Sequence, residues 1–245
     1  MTGGYLNSQV RHRVIRPIEA FREYIFRDVV PQFANLNDRA TQVGNEHYGM
    51  LVSQPVGDDC DSDVSGFAED AQDQAIGWYE MMRSLRQTML NLLAAGLFHL
   101  TEQQLAALCH DGGFGVLHPP NPRLDDVAKW YGIHLRLDLK SLPAWSLINE
   151  LRMLANTVKH AEGSSSRHLK AKRPELFCDP SLMRAFPDIE FRDYFLNKTV
   201  AAPLAGDDVF VTEDLLKQYA EGVGSFFGEI ADHFAAHADE NYYYK

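Results

Sequence analysis

Apolar residues recur at intervals of three and four positions along most of this chain, and that spacing limits what it can fold into. In the C-terminal stretch the pattern runs from Leu215 to Phe234. Thr212 precedes it, and threonine is a residue type that caps helix N-termini well. A second stripe of the same period runs from Met82 to Leu100. Because a period near 3.6 places such residues on one side of a helix, the sequence predicts long amphipathic helices.

We expect these helices to form an all-α fold, a helical bundle with long irregular connections between its helices. The 245 residues suit a single α-helical domain, 1–245, with a core over about 15–177 and 212–237. The segment 178–211 contains prolines and scattered aromatic residues, so we expect it to be irregular. A small strand pair near 180–210 stays open as an alternative.

The N-terminal part of the chain has weaker patterns. Helical spacing from Ile18 onward predicts a first helix over 17–33, and polar residues then predict a connection over 35–56. The acidic loop 57–66 imitates a calcium-binding loop, but Val64 stands where the sharp turn of such a loop needs glycine. We therefore expect no calcium site in this loop.

The middle of the chain contains a predicted break and a predicted connector. The long helix is expected over 69–99, with Thr101 as the N-cap of a separate short helix. The segment 133–140 alternates apolar and polar residues, which is the period of a β-strand. It has no partner strand, and an isolated strand is not stable, so we predict an extended connector.

Composition excludes several classes of function. The net charge of −11 argues against a general electrostatic attraction to nucleic acid or to an anionic membrane. Three widely spaced cysteines without a CxxC pair argue against a disulfide framework and suit a reducing cytoplasm. No stretch approaches the ~20 apolar residues of a membrane span, so no membrane partner is expected. Nucleotide-binding loops are absent and His233 with His237 lacks a nearby third ligand, so we expect no cofactor and no metal.

The segment 150–163, ELRMLANTVKHAEG, carries an unusual polar face. At about 100° per residue its polar side chains gather on one side of a helix, opposite an apolar side. An acid–base group, two cations and an amide on one face suit proton transfer and the binding of a phosphate or an oxyanion. The candidate catalytic residues are Arg152, Asn156, Lys159 and His160. A structural alternative is that Asn149 and Asn156 bond to backbone across the bundle, while the cations favour the helix C-terminus.

A basic segment follows this face directly. Between positions 159 and 173 five lysines and arginines accompany a single acid, Glu162. A basic island on an acidic protein can bind a phosphate chain. The candidate nucleic-acid-binding residues are Arg167, Lys170, Lys172 and Arg173.

The long helix supplies two secondary candidates. Asn91 interrupts its apolar stripe and is placed to face the polar helix, and His99 lies near its predicted end. The alternative for His99 is that it caps a carbonyl at the helix C-terminus.

Residues 85–177 resemble bacterial helical proteins that share three sequence segments. In this chain they read LRQTMLNLLAAGLFHLTEQQ, ELRMLANTVKHAEGSSS and RPELF. The second segment is also similar to the catalytic helix of the HEPN superfamily, whose signature is an arginine followed by a histidine. That resemblance assigns the pair to Arg152 and His160. Seven residues separate them here, against four to six in the signature, which leaves Asn156 with Lys159 and His160 as an alternative core.

The resemblance implies a small α-helical bundle and a metal-independent endoribonuclease of a toxin–antitoxin or phage-defence system. In such an enzyme the histidine transfers a proton as the 2′-hydroxyl attacks the adjacent phosphate, and the arginine offsets the charge of the phosphorane. It also implies RNA as substrate, and a homodimer or a partner protein of a defence system. The alternative is a non-catalytic helical interaction or dimerisation module in which the polar face is structural.

Overall fold

The structure is a computed structural model, and it describes residues 1–53, 64–111, 123–187, 199–201 and 208–242. Within these ranges the chain is helical, and its one β-type contact is an isolated bridge between Thr2 and Asn241. The predicted all-α fold is therefore confirmed. The described residues of the segment 178–211 form no strand, and residues 57–63 of the predicted acidic loop lie outside the described residues.

The α-helices of the described part follow one another along the chain with these bounds: α1 Gly3–Gln9, α2 Arg16–Tyr24, α3 Leu36–Ser53, α4 Val64–Asp111, α5 Leu124–His134, α6 Trp145–His160, α7 Ser164–Lys172, α8 Pro180–Ala185 and α9 Glu213–Ala236. None of these helices combines the length and the apolar character that crossing a membrane requires, over the ranges given above.

The first helix is longer than the sequence predicts. It begins at Gly3, and π-helical turns over Val10–Ile15 and Ile25–Val29 interrupt it before a 3₁₀ turn at Val30–Phe33. Its buried side chains are spaced by four residues, which is wider than the α-helical period of about 3.6. Because a π-helical turn has more residues per turn, it keeps side chains at this spacing on one face of the helix. These side chains are Leu6, Val10, Val14 and Ile18. The predicted start at position 17 is wrong, because apolar side chains before Pro17 already bury one face of the helix.

The predicted polar connection 35–56 is also wrong, because most of it forms helix α3. This helix packs against the N-terminal part of α4 through small residues: a Cβ added to Gly44 would lie 3.0 Å from the Ala71 carbonyl oxygen. Only Ala40 and Gly44 are buried on α3. A contact face of alanine and glycine leaves no stripe of large apolar residues to read in the sequence.

Helix α4 passes through the predicted break without interruption. Thr101 is fully buried, and its hydroxyl donates to the Leu97 carbonyl oxygen one turn back, at 2.9 Å. The hydroxyl is therefore satisfied within α4, and Thr101 does not cap the start of a new helix as its residue type suggested. Leu105 and Leu108, one and two turns further on, are buried in the core, which explains why the helix continues.

The helices that position the polar face match the prediction. Thr212 caps α9 by accepting a hydrogen bond from the Leu215 N–H, and α9 packs against α6. α6 packs in turn along α4. The apolar side of α6, including Leu151 and Leu154, is buried in the hydrophobic core. The predicted extended connector 133–140 is largely wrong: α5 runs on to His134, Leu135 and Arg136 turn the chain with Arg136 at φ 53°, and a 3₁₀ turn begins at Leu139.

Candidate functional site

The four candidate catalytic residues lie together on the wall of one cleft of about 680 Å³. The cleft is bounded by α4, the first residues of α5, the C-terminal half of α6 and the first residues of α7. Its lining residues are Phe98, Glu102, Arg123, Leu124, Arg152, Asn156, Lys159, His160, Ala161, Gly163, Ser164 and Ser165. A cleft of this size is in the range that holds small ligands in proteins.

A sharp turn between α6 and α7 forms one end of the cleft. Ala161 ends α6 with φ 59° and ψ −138°, a backbone conformation that costs an L-residue of order 1–3 kcal/mol. Glu162 fixes the turn, because its backbone N–H donates to the Val200 carbonyl oxygen and its carboxylate accepts from the Val200 N–H, both at 3.2 Å. The turn directs the N-terminus of α7 at the cleft, where the first N–H groups of a helix have no intrahelical acceptor.

Arg152 is held against one wall by two neighbours. Its guanidinium donates to Asn149 Oδ1 at 2.7 and 3.1 Å and to Asp125 Oδ2 at 3.3 Å, with about a third of the side chain exposed. A hydrogen bond from Lys140, together with the charges of Lys140 and Arg152, lowers the pKa of Asp125 against the opposing effect of burial. A guanidinium anchored in this way keeps a fixed orientation towards the cleft.

Lys159, His99 and Glu102 form a chain of three polar side chains across α6 and α4. The Lys159 ammonium donates to His99 Nε2, and His99 Nδ1 lies 3.4 Å from Glu102 Oε2. Burial, and then the charge of Lys159, lowers the pKa of His99. The lowered pKa favours the neutral ring at neutral pH, and donation from Lys159 to Nε2 then leaves the ring proton on Nδ1, on the side of Glu102.

Asn156 and His160 complete the polar wall. The Asn156 amide donates to Ser165 Oγ at 3.4 Å, which links α6 to the start of α7. His160 is the last residue of α6 and is exposed. Among the described residues it has no hydrogen-bond or ion-pair partner, so its imidazole is available to a ligand in the cleft.

The predicted nucleic-acid-binding residues differ from one another in their surroundings. Lys170 is buried, with its ammonium 2.7 Å from Glu162 Oε2. Lys172 and Arg173 both pair with the buried carboxylate of Glu150, and Arg173 pairs with Glu175 as well. Arg167 is exposed beside the cleft, where it donates to the Gly163 carbonyl oxygen at 3.3 Å.

Asn91 does not face the cleft. Its amide donates to the Val209 carbonyl oxygen at 2.8 Å and its side-chain oxygen accepts from the Val211 N–H at 3.2 Å. The side chain is 1% exposed. Asn91 thus makes the cross-bundle backbone contact that the sequence suggested for Asn149 and Asn156, and His99 lies within α4 and not at its end.

Taken together, the cleft presents three cations, an amide, two hydroxyls and a helix N-terminus against one carboxylate, a set that suits an anion. Comparison of the chain with protein-family models, with curated proteins and with solved structures found no match. The function must therefore be argued from the cleft itself. Across the described ranges no three histidine, cysteine, aspartate or glutamate residues are grouped as a metal site.

The catalytic and nucleic-acid-binding candidates predicted from the sequence leave out several residues of the cleft, among them Glu102, Arg123 and Ser165. The predicted break at Thr101 puts Glu102 in a separate short helix, whereas the continuous α4 brings it to the wall of the cleft. The signal for Glu102 was its spacing of three from His99, which places both side chains on one side of a continuous helix.

Proposed function

We propose that this chain is a HEPN-like, metal-independent endoribonuclease of a bacterial toxin or phage-defence system, acting in the cytoplasm. One observation carries the proposal: Arg152, Asn156, Lys159 and His160, chosen from the sequence alone, all line one open cleft. A purely structural polar face would be buried against a neighbouring helix. This face borders a cavity large enough for part of an RNA chain.

The chemistry assigned to the cleft is attack of a ribose 2′-hydroxyl on the adjacent phosphate. Arg152 and Lys159 offset the charge that accumulates on the phosphorane. Asn156 donates to a phosphate or sugar oxygen, and His160 transfers a proton. Two fixed cations next to a helix N-terminus supply the charge stabilisation that a metal ion provides in other nucleases.

The approach of RNA is assigned to the rim of the cleft beside α7. Arg167 lies on this rim and is exposed, and the side chain of Lys172 is 42% exposed. Arg173 is partly exposed and shares its charge with two carboxylates. Lys170 is left out of the contact surface, because its ammonium is buried in an ion pair with Glu162.

The test is cleavage of a mixed-sequence RNA in buffer that contains EDTA. The wild-type protein is expected to cut, and His160→Ala and Arg152→Ala are each expected to lose about 10²-fold or more in rate. His12→Ala and Arg184→Ala make the same chemical changes at exposed positions outside the cleft and serve as matched controls. If folded wild-type protein leaves RNA uncut, the proposal is wrong.

A dimerisation module is the second candidate, and one surface favours it. Met81, Leu85 and Leu92 are 58%, 47% and 40% exposed. At about 100° per residue they lie on the side of α4 opposite the buried Leu90 and Ala94. Two copies can pair such stripes about a two-fold axis.

Light scattering tests this second candidate. The wild-type mass should be that of two chains, and Leu85→Glu should reduce it to that of one chain. A single-chain mass for the wild-type protein at micromolar concentration would rule this pairing out.

A further inference from the structure

Cleavage by 2′-hydroxyl attack requires two proton transfers. One proton leaves the attacking 2′-hydroxyl and another reaches the departing 5′-oxygen, and these two oxygens lie roughly in line on opposite sides of the phosphorus. Two groups on different walls of the cleft therefore serve the reaction better than one. His160, at the end of α6, supplies only one of them.

Glu102 is the carboxyl group that lines the cleft from the adjacent wall, which α4 forms beside α6. It lies on α4, lines the cleft, and its side chain is 31% exposed. Its Oε2 faces His99 Nδ1 at 3.4 Å, and its Oε1 has no hydrogen-bond partner in the described part of the chain. One carboxylate oxygen thus lies beside the His99 ring and the other is available to a ligand.

His99 is a less suitable second group, although it lies close by. Its Nε2 accepts from Lys159, and its Nδ1 lies 3.4 Å from Glu102 Oε2. Its side chain also does not line the cleft. His99 instead positions Glu102 and Lys159 relative to each other.

We propose that Glu102 is a second catalytic residue and acts as the general base, with His160 as the general acid. The proposal rests on the ribonuclease function proposed above. The Glu102 carboxylate accepts the 2′-hydroxyl proton as the O2′–P bond forms. The P–O5′ bond breaks, and the His160 imidazolium gives its proton to the leaving oxygen. The products are a 2′,3′-cyclic phosphate and a 5′-hydroxyl, without water, oxidant or metal in the step.

The charges around Glu102 fit this role. Burial raises the pKa of Glu102, and the charges of Lys159 and Arg152 oppose that effect. A carboxylate whose pKa lies closer to the working pH is a better base than an ordinary glutamate. The other charged or titratable groups of this region are His99 on the same helix, His160 on α6 and Arg123 at the start of α5.

The experiment compares Glu102→Gln with His160→Ala on two substrates, in EDTA. The first is an RNA oligonucleotide that the wild-type protein cuts at a mapped site. The second has sulfur in place of the 5′-oxygen at that site, and a thiolate leaves without being protonated. Glu80→Gln, the same change at an exposed position of α4 outside the cleft, is the matched control.

We expect Glu102→Gln to lose about 10²–10⁴-fold in rate on both substrates and to lose the acidic limb of the pH–rate profile. His160→Ala should lose a similar factor on the first substrate and recover most of it on the second. The assignment is wrong if the cleavage rate of Glu102→Gln stays within about threefold of that of Glu80→Gln. It is also wrong if the sulfur substrate restores the rate of Glu102→Gln but not that of His160→Ala.

Two controls keep the outcomes distinct. Glu102→Asp shortens the side chain but keeps the carboxylate, and partial activity in this variant supports the base if the Gln variant folds poorly. A dead Asp variant with a wild-type melting curve counts against it. Wild-type protein that cuts neither substrate refutes the ribonuclease function itself, whereas an active wild type with a fully active Gln variant refutes only the role of Glu102.

Discussion

Replacing Asn91 by alanine is expected to destabilise the fold without altering the cleft. Asn91 holds the backbone of the segment before α9 with two hydrogen bonds, to the Val209 carbonyl oxygen and from the Val211 N–H. Val209 and Val211 are 2% and 0% exposed, so water cannot replace the lost partner. Each buried backbone group left without a partner costs about 1–3 kcal/mol, and we expect a loss of about 3 kcal/mol in the free energy of unfolding.

Urea denaturation measures this change directly, provided the slope of the transition stays the same. In a chain of this size about 3 kcal/mol corresponds to a decrease of about 6–12 °C in melting temperature. Asn45→Ala, at an exposed position of α3, is the matched control and should change little. Asn91→Asp keeps the acceptor for Val211 and loses the donor to Val209, so it should also be destabilised. A loss below about 0.5 kcal/mol in Asn91→Ala would refute the reasoning.

Two further changes test the framework around the cleft. Glu150→Gln should cost about 3 kcal/mol, because the buried carboxylate accepts from Tyr219 at 2.8 Å and pairs with Lys172 and Arg173. Burial alone would raise the pKa of Glu150, but these partners lower it, so its contribution is full above the ordinary value of 4.5 and is lost as pH falls through the lower folded value. Urea denaturation checks this: the difference in midpoint between wild type and variant should be smaller at about pH 3 than at about pH 7. An equal difference at the two pH values would contradict the prediction. Ala161→Gly should raise the melting temperature, since relief of about 1–3 kcal/mol of strain exceeds the entropy cost of about 0.5–1 kcal/mol. A lower melting temperature would show that Ala161 is not strained.

The helices that could be predicted are those with large apolar side chains at helical spacing. The apolar stripe that ends at Phe234 and the leucine side of α6 predict their helices without any knowledge of which helices they pack against. Helix α3 could not be predicted in this way, because its contact with α4 uses Gly44 and alanines. The break predicted at Thr101 failed because a threonine that bonds one turn back looks in sequence like an N-cap.

The candidate site was predictable only where its residues share one helix. Helical spacing alone places Arg152, Asn156, Lys159 and His160 along α6, and all four line the cleft. Glu102 lies 50 or more positions before them, and only the packing of α4 against α6 brings it there. Which cations of the basic segment are free to bind RNA depends on the acidic residues that pair with them. The pairs Lys170–Glu162 and Lys172–Glu150 form only because the chain turns at Ala161, and the direction of that turn could not be predicted from the sequence.

The most direct test of the account is the identity of the RNA ends produced in EDTA by the wild-type protein and by His160→Ala. The account predicts fragments with 2′,3′-cyclic phosphate and 5′-hydroxyl ends from the wild-type protein, and their loss in the variant while its melting curve stays unchanged. Equal amounts of those fragments from both proteins, or none from the folded wild-type protein, would contradict it.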